Sequence, residues 1–151
     1  MTYATQLVSL VTGILGSLLG AAALIITFLN YRRDQHKLKV TLKWDMVDLA
    51  THRMMGIVKV ANVGRRPVHL SIVGLEIGGH QKYSHLILND SIKGKRLDEG
   101  DKPEGFMVNY DQMAQYREVW DKIRAVAEDS SGKAYYSDYP KDKPSWAKDG
   151  S

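Results

Sequence analysis

In His36-Lys37-Leu38-Lys39-Val40-Thr41-Leu42-Lys43-Trp44, polar and apolar side chains alternate from Lys37 onward. Successive side chains of a strand point to opposite faces. The pattern therefore predicts a half-buried β-strand with Leu38, Val40, Leu42 and Trp44 inward and Lys37, Lys39, Thr41 and Lys43 outward. The β-branched and aromatic residues among them favour the same conformation.

Upstream of this strand the chain changes character. Residues 1–31 contain no Asp, Glu, Lys or Arg, and Leu7 to Leu29 is apolar over the length that crosses a bilayer. A signal peptide carries positive charge ahead of a shorter apolar run. Here Arg32 and Arg33 follow the run, and Leu24, Ile25, Ile26, Phe28 and Leu29 extend it past the small residues Gly20 to Ala23. Flanks and length thus select a transmembrane segment, 1–31, with the span at 7–29, over a signal peptide or a buried core helix. Within it Ser9, Gly13, Gly16, Gly20, Ala23 and Thr27 recur at spacings of four and three, which puts every small side chain on one stripe. In lipid, such stripes let helix backbones approach, so association through the span, as a homo-oligomer or with a partner's helix, is expected.

The charge pattern sets the topology. Of 21 basic and 17 acidic residues, five (Arg32, Arg33, Lys37, Lys39, Lys43) and one (Asp34) fall between Arg32 and Lys43. The chain's net charge of +4 therefore lies beside the apolar segment, and the rest balances. Basic residues next to a span are retained on the cytoplasmic side. The expectation is a single-pass cell-membrane protein with the N-terminus outside and the C-terminal domain cytoplasmic. The lipid bilayer is its first partner, and the five basic residues lie against the headgroups; preference for anionic lipid is the sharper form of that reading. A nucleic-acid binder spreads its positive charge over the folded surface, so no nucleic-acid partner is expected despite the basic isoelectric point.

Downstream, six further segments read as short strands: 56–62, 68–77, 83–88, 106–110, 123–128 and 134–137. With the first they form a domain over 32–137, and seven short strands separated by turns are what an antiparallel β-sandwich requires. The alternation in 68–77 changes phase between Gly74 and Leu75, which predicts a bulge there. In Asn62-Val63-Gly64-Arg65-Arg66-Pro67, Gly64 accommodates a positive φ and Pro67 cannot donate to a ladder, so a turn is expected. Arg65 and Arg66 fall on its tip, either as solvated charge or as a contact for an acidic partner.

The segment 111–120 breaks the β pattern. Met113, Tyr116 and Trp120 at spacings of three and four, with Asp111 as N-cap, predict one short helix covering the core. The acidic stretch 97–104 lacks calcium-loop spacing and reads as a solvated connection. Residues 138–151, with two prolines and alternating charge, read as a disordered tail.

The runs Ile57-Val58-Lys59-Val60-Ala61-Asn62-Val63-Gly64-Arg65-Arg66-Pro67-Val68 and Ala127-Glu128-Asp129-Ser130-Ser131-Gly132-Lys133-Ala134-Tyr135 resemble a strand–turn–strand and the closing hairpin of bacterial immunoglobulin-like domains. Such domains occur on single N-terminal spans in uncharacterised bacterial and phage membrane proteins. The resemblance covers about a fifth of the chain and implies fold only, since these domains share no active site. The Cys and Trp pattern of antibody domains is absent, as there is no Cys.

The chemistry-bearing motifs are missing. There is no Walker loop, dinucleotide fingerprint, Gly-x-Ser-x-Gly elbow or His-Glu-x-x-His pair. His36, His52, His69, His80 and His85 show no ligand motif, although His80 and His85 approach across a turn. No catalytic residue, cofactor or metal is expected. The leading function is a membrane-anchored cytoplasmic protein-interaction module. The alternative is a ligand-sensing membrane effector whose span oligomerises, as in some bacterial antiphage effectors; a membrane-associated enzyme ranks behind both. Exposed apolar side chains on a sheet face favour the first, a deep polar pocket the second.

Overall fold

The computed structural model describes residues 2–79, 84–88 and 94–148. The chain divides into two units, Met1–Gln35 and His36–Ser151.

The first unit is one unbroken helix, α1 (Thr2–Arg33), of 32 residues. At 1.5 Å per residue it is about 48 Å long, more than a bilayer's hydrocarbon core. Its leucines and isoleucines are exposed along its whole length, so no protein core covers them. Among the described residues it is the one helix long and apolar enough to cross a membrane. The helix overshoots 7–29 at both ends because neither flank contains a Gly or Pro to stop it.

Among the described residues the second unit has eight antiparallel strands: β1 (Leu38–Val47), β2 (Met54–Asn62), β3 (Val68–Ile77), β4 (His85–Ile87), β5 (Lys95–Leu97), β6 (Glu104–Asn109), β7 (Ile123–Asp129) and β8 (Ala134–Tyr136). One sheet has the order β1-β2-β6; the other runs β4-β3-β7-β8, with β5 also pairing β3. Leu38, Val40, Val58, Val60 and Val108 of the first sheet share one core with Leu70, Val73, Leu75, Ile77, Ile123, Ala125 and Ala127 of the second. The β1 face is as its alternation requires: Leu38 and Val40 are buried, Leu42 and Trp44 half-buried, Lys39 and Lys43 exposed.

The structure corrects four local expectations. β5 is an eighth strand at the start of the supposed solvated connection. Leu97 is buried, and Lys95 and Glu104 form an ion pair at 2.8 Å that closes the stretch into a loop between two strands. The bulge in β3 falls between Leu70 and Ile72 rather than after Gly74. Inward residues are therefore Val68 and Leu70, then Val73, Leu75 and Ile77, and Ile72 leaves the core face. Gly64 has no positive φ; the Asn62 side chain shapes that turn instead, donating to Arg66 O and Leu97 O and accepting from Gly64 N, each at 2.9 Å. The helix over 111–120 is two 3₁₀ segments, Tyr110–Gln112 and Ala114–Lys122, capped by Asn109 rather than Asp111. The backbone is non-helical at Tyr116 and Val119, so the second segment is kinked; Met113 and Tyr116 are buried and Val119 and Trp120 pack partly buried on the core.

The fifth correction is the largest. Residues 138–148 are not a disordered tail but part of the β-domain: Pro144, Trp146 and Ala147 are buried, and Ser145–Ala147 forms a 3₁₀ turn. Trp146 meets Trp44 edge-on with ring centroids 5.4 Å apart, and Arg117 Nε donates to Trp146 O at 3.1 Å. A single large aromatic supplies the burial that the segment's average composition conceals.

Candidate functional site

The β1–β2 hairpin defines two opposed ends of the domain. Its register pairs Leu38 with Asn62 at one end and Val47 with Met54 at the other. A ten-residue strand separates these by about 30 Å.

At the turn end, β1 is bulged between Lys43 and Met46, and Asp45 takes φ 57°, a left-handed conformation that Asp tolerates better than most residues. The Tyr110 hydroxyl donates to Asp45 Oδ1 at 2.8 Å, and the Ser145 amide and hydroxyl reach the same oxygen at 3.0 and 2.5 Å. Burial opposes the Asp45 charge, but the hydrogen bonds from Ser145 and Tyr110, with Lys148 nearby, hold the carboxyl below its ordinary value. Burial and the Asp45 carboxylate push the Tyr110 phenol up to about 12, so it remains a donor at neutral pH. Beyond the bulge the tip is locked by its own bonds. Thr51 Oγ1 and Ala50 N both donate to the Asp48 carboxylate, at 2.6 and 3.0 Å, and Asp48 N donates to Arg53 O at 3.0 Å.

This rigid tip exposes apolar side chains. Leu49 is 85% exposed, Met107 69%, Val47 51% and Met54 49%. Met54, Met55, Met107 and Val108 line an open groove of about 290 Å³ with Asp48, Thr51, Arg53 and Asn109 on its rim. Four of the chain's six methionines (46, 54, 55 and 107) lie here. Sequence reading missed this surface, although methionines flanking a turn on both sides and beyond the core-facing alternation were the available signal. β6, which carries Met107, pairs only with β2 among the described residues, leaving a free sheet edge beside the groove.

At the opposite end, Val63 N donates to Lys37 O at 2.9 Å, and His36 Nδ1 lies 3.1 Å from Pro67 O. The fold thus brings Arg65 and Arg66 beside Lys37 and Lys39, residues that sequence reading treated separately. Lys43 lies further along the outer face, with Lys59 two residues back on the neighbouring strand's face. Arg32 belongs to the other unit and is exposed. The acids at this end include Asp98, which follows Leu97 and pairs with Arg96, and Asp129. Burial opposes the Asp129 charge, but bonds from Ser131, Lys133 and Tyr135 hold it below the usual carboxylate range.

On α1, a Cβ added at Gly13, Gly16 or Gly20 meets nothing within 4 Å. Thr27 Oγ1 donates back to Ala23 O at 2.8 Å and Ser17 Oγ to Gly13 O at 2.8 Å, which satisfies these hydroxyls within the helix, as lipid requires. Gly16→Leu with Gly20→Leu should therefore leave the helix intact and abolish association in a membrane two-hybrid assay, while Leu18→Ile, off the stripe, should not. Association that survives the double substitution would remove the stripe's role.

Among the described residues no group of three or more His, Cys, Asp or Glu is placed to hold a metal. His85 bonds Ser84 at 3.0 Å; His80 and the Asn89-Asp90-Ser91 sequon lie outside the described residues. The chain matches no protein-family model, no curated protein and no solved structure.

Proposed function

We propose that this chain is a membrane-anchored cytoplasmic protein-interaction module, in which a single-pass span holds an immunoglobulin-like β-sandwich that engages a protein partner through its methionine-rich hairpin end. The observation that carries the reading is the apolar surface of Met46, Val47, Leu49 and Met54 on a locked hairpin, joined by Met107 of the neighbouring β6. Unbranched, polarizable methionine side chains suit adaptable protein contacts, and the adjoining β6 edge offers backbone pairing. The hollows beside His36, Val40 and Met54 are open, which favours this reading over a ligand-sensing effector.

The sandwich reading is supported by strand order. β1-β2-β6 corresponds to the A-B-E strands of an immunoglobulin-like domain, and β4-β3-β7-β8 to C′-C-F-G. The cytoplasmic orientation is supported by the basic residues that follow the apolar segment.

The test is photo-crosslinking of the full-length protein in its host from probes at positions 49 and 107. A discrete adduct is expected from both, and none from position 128 on β7. Met107→Asp with Leu49→Asp should weaken capture by about thirtyfold or more, the scale of an interface hot spot. In the same cells a cytoplasm-dependent reporter fused after Ser151 should be active. Equal crosslinking from all three positions would sink the tip assignment, and an inactive reporter would sink the orientation.

A further inference from the structure

We propose that the Asn62–Pro67 turn is a lipid-docking edge, with Val63 at the headgroup level and Arg65, Arg66, Lys37 and Lys39 on anionic phospholipid headgroups. The inference rests on the reading of α1 as a span and adds a second, reversible contact with the same membrane.

Three observations carry it. First, the charge is available. The ion pairs among the described residues are Lys95–Glu104, Arg96–Asp98 and Arg124–Glu76; none involves Lys37, Lys39, Arg65 or Arg66, and all four are exposed. Of the acids near the turn, Asp129 has its carboxylate bound by Ser131, Lys133 and Tyr135, Asp98 is paired with Arg96, and Asp101 accepts from Asp98 N. Second, the turn is preorganised. Asn62 is buried and spends its side-chain amide on Arg66 O, Leu97 O and Gly64 N, so the backbone that carries the arginines needs no ordering on binding. Val63 is 57% exposed between the buried Asn62 and Gly64, an apolar side chain at the tip of a basic turn. Third, the chain limits the distance. Three residues separate Arg33, where α1 ends, from Lys37, and the four steps between them span at most about 14 Å of extended chain. Lys37 O in turn accepts from Val63 N. A basic turn tethered this close to a span meets lipid at a far higher local concentration than any soluble partner. An apolar residue flanked by arginines is also the composition that binds an anionic headgroup layer.

The chain has no cysteine, so one introduced thiol labels one site. Full-length Val63→Cys and Leu49→Cys proteins carrying an environment-sensitive fluorophore are reconstituted into nanodiscs of phosphatidylcholine alone or with about 30% phosphatidylserine. The label at 63 should shift to the blue and be quenched by nitroxide lipid in the anionic discs only, while the label at 49, at the far end of β1, stays aqueous in both. Arg65→Gln with Arg66→Gln should lower the docked-to-undocked ratio about thirtyfold, two residues at about 1 kcal/mol each. The comparison of lipid compositions uses the native arginines and does not depend on that variant folding. A label at 63 that stays aqueous in both discs, or is buried equally in both, overturns the proposal. Protein that fails to co-migrate with discs overturns the span reading and the docking with it, a result visible without the label. A label shielded only by an added acidic protein would assign the turn to that partner and overturn lipid docking.

Discussion

Val40→Asp should unfold the β-domain, and Thr41→Asp, one residue away, should leave it folded. Val40 is buried in the core shared by the two sheets, with Val60 paired directly across on β2. A carboxylate there has no partner, and an uncompensated buried charge costs about 3–5 kcal/mol, a large part of a small domain's total stability. Thr41 faces outward opposite Lys59, so an aspartate at 41 gains an opposite charge across the strands and shifts stability by no more than about 0.5 kcal/mol. Thermal unfolding of the full-length protein in mild detergent, followed by near-UV circular dichroism of Trp44 and Trp146, reads both variants. Equal tolerance would mean that the β1 face has been assigned the wrong way round.

That contrast was legible because period-two alternation is a local signal. β3 spans Val68–Ile77 as its sequence required, and β1, β2 and β7 differ from their expected bounds by a few residues at most. What escaped reading depends on contacts distant in sequence. β5 is three residues, Lys-Arg-Leu, and only its pairing with Val68–Leu70 and the burial of Leu97 make it a strand. The β3 bulge is set by how β7 pairs across it, not by the residues of β3 alone. The turn carrying Arg65 and Arg66 was visible as a turn, but its place beside Lys37 required the β1–β2 register. Met54 and Met55 fell outside the strand expected at 56–62, and the exposed surface they form with Met107 appears only when β6 is laid beside β2.

The same argument gives the segment after Tyr139 the other large effect. Trp146→Ala should destabilise the domain by about 3–5 kcal/mol, the range for truncating a buried large aromatic. Trp146 is 6% exposed, and its ring packs edge-on against Trp44, which in turn lies over Gly56, where an added Cβ would sit 2.5 Å from the Trp44 ring. The indole Nε1 of Trp146 has no hydrogen-bond partner, so Trp146→Phe loses contact area but no bond and should cost clearly less than Ala. The segment is also pinned electrostatically, which sets a pH signature. Asp45 has its folded value held below the unfolded one, so its contribution is present above the ordinary carboxylate range and disappears as pH falls through the folded value. Asp45→Asn, which keeps a side chain tolerant of φ 57°, should therefore be less stable than the parent at pH 7, with the gap narrowing as acid protonates the parent's carboxylate. Thermal unfolding of the three variants across that pH range tests the packing and the charge separately. If Trp146→Ala melts with the parent, the segment lies on the domain without supporting it, and the disordered-tail reading of 138–151 is restored.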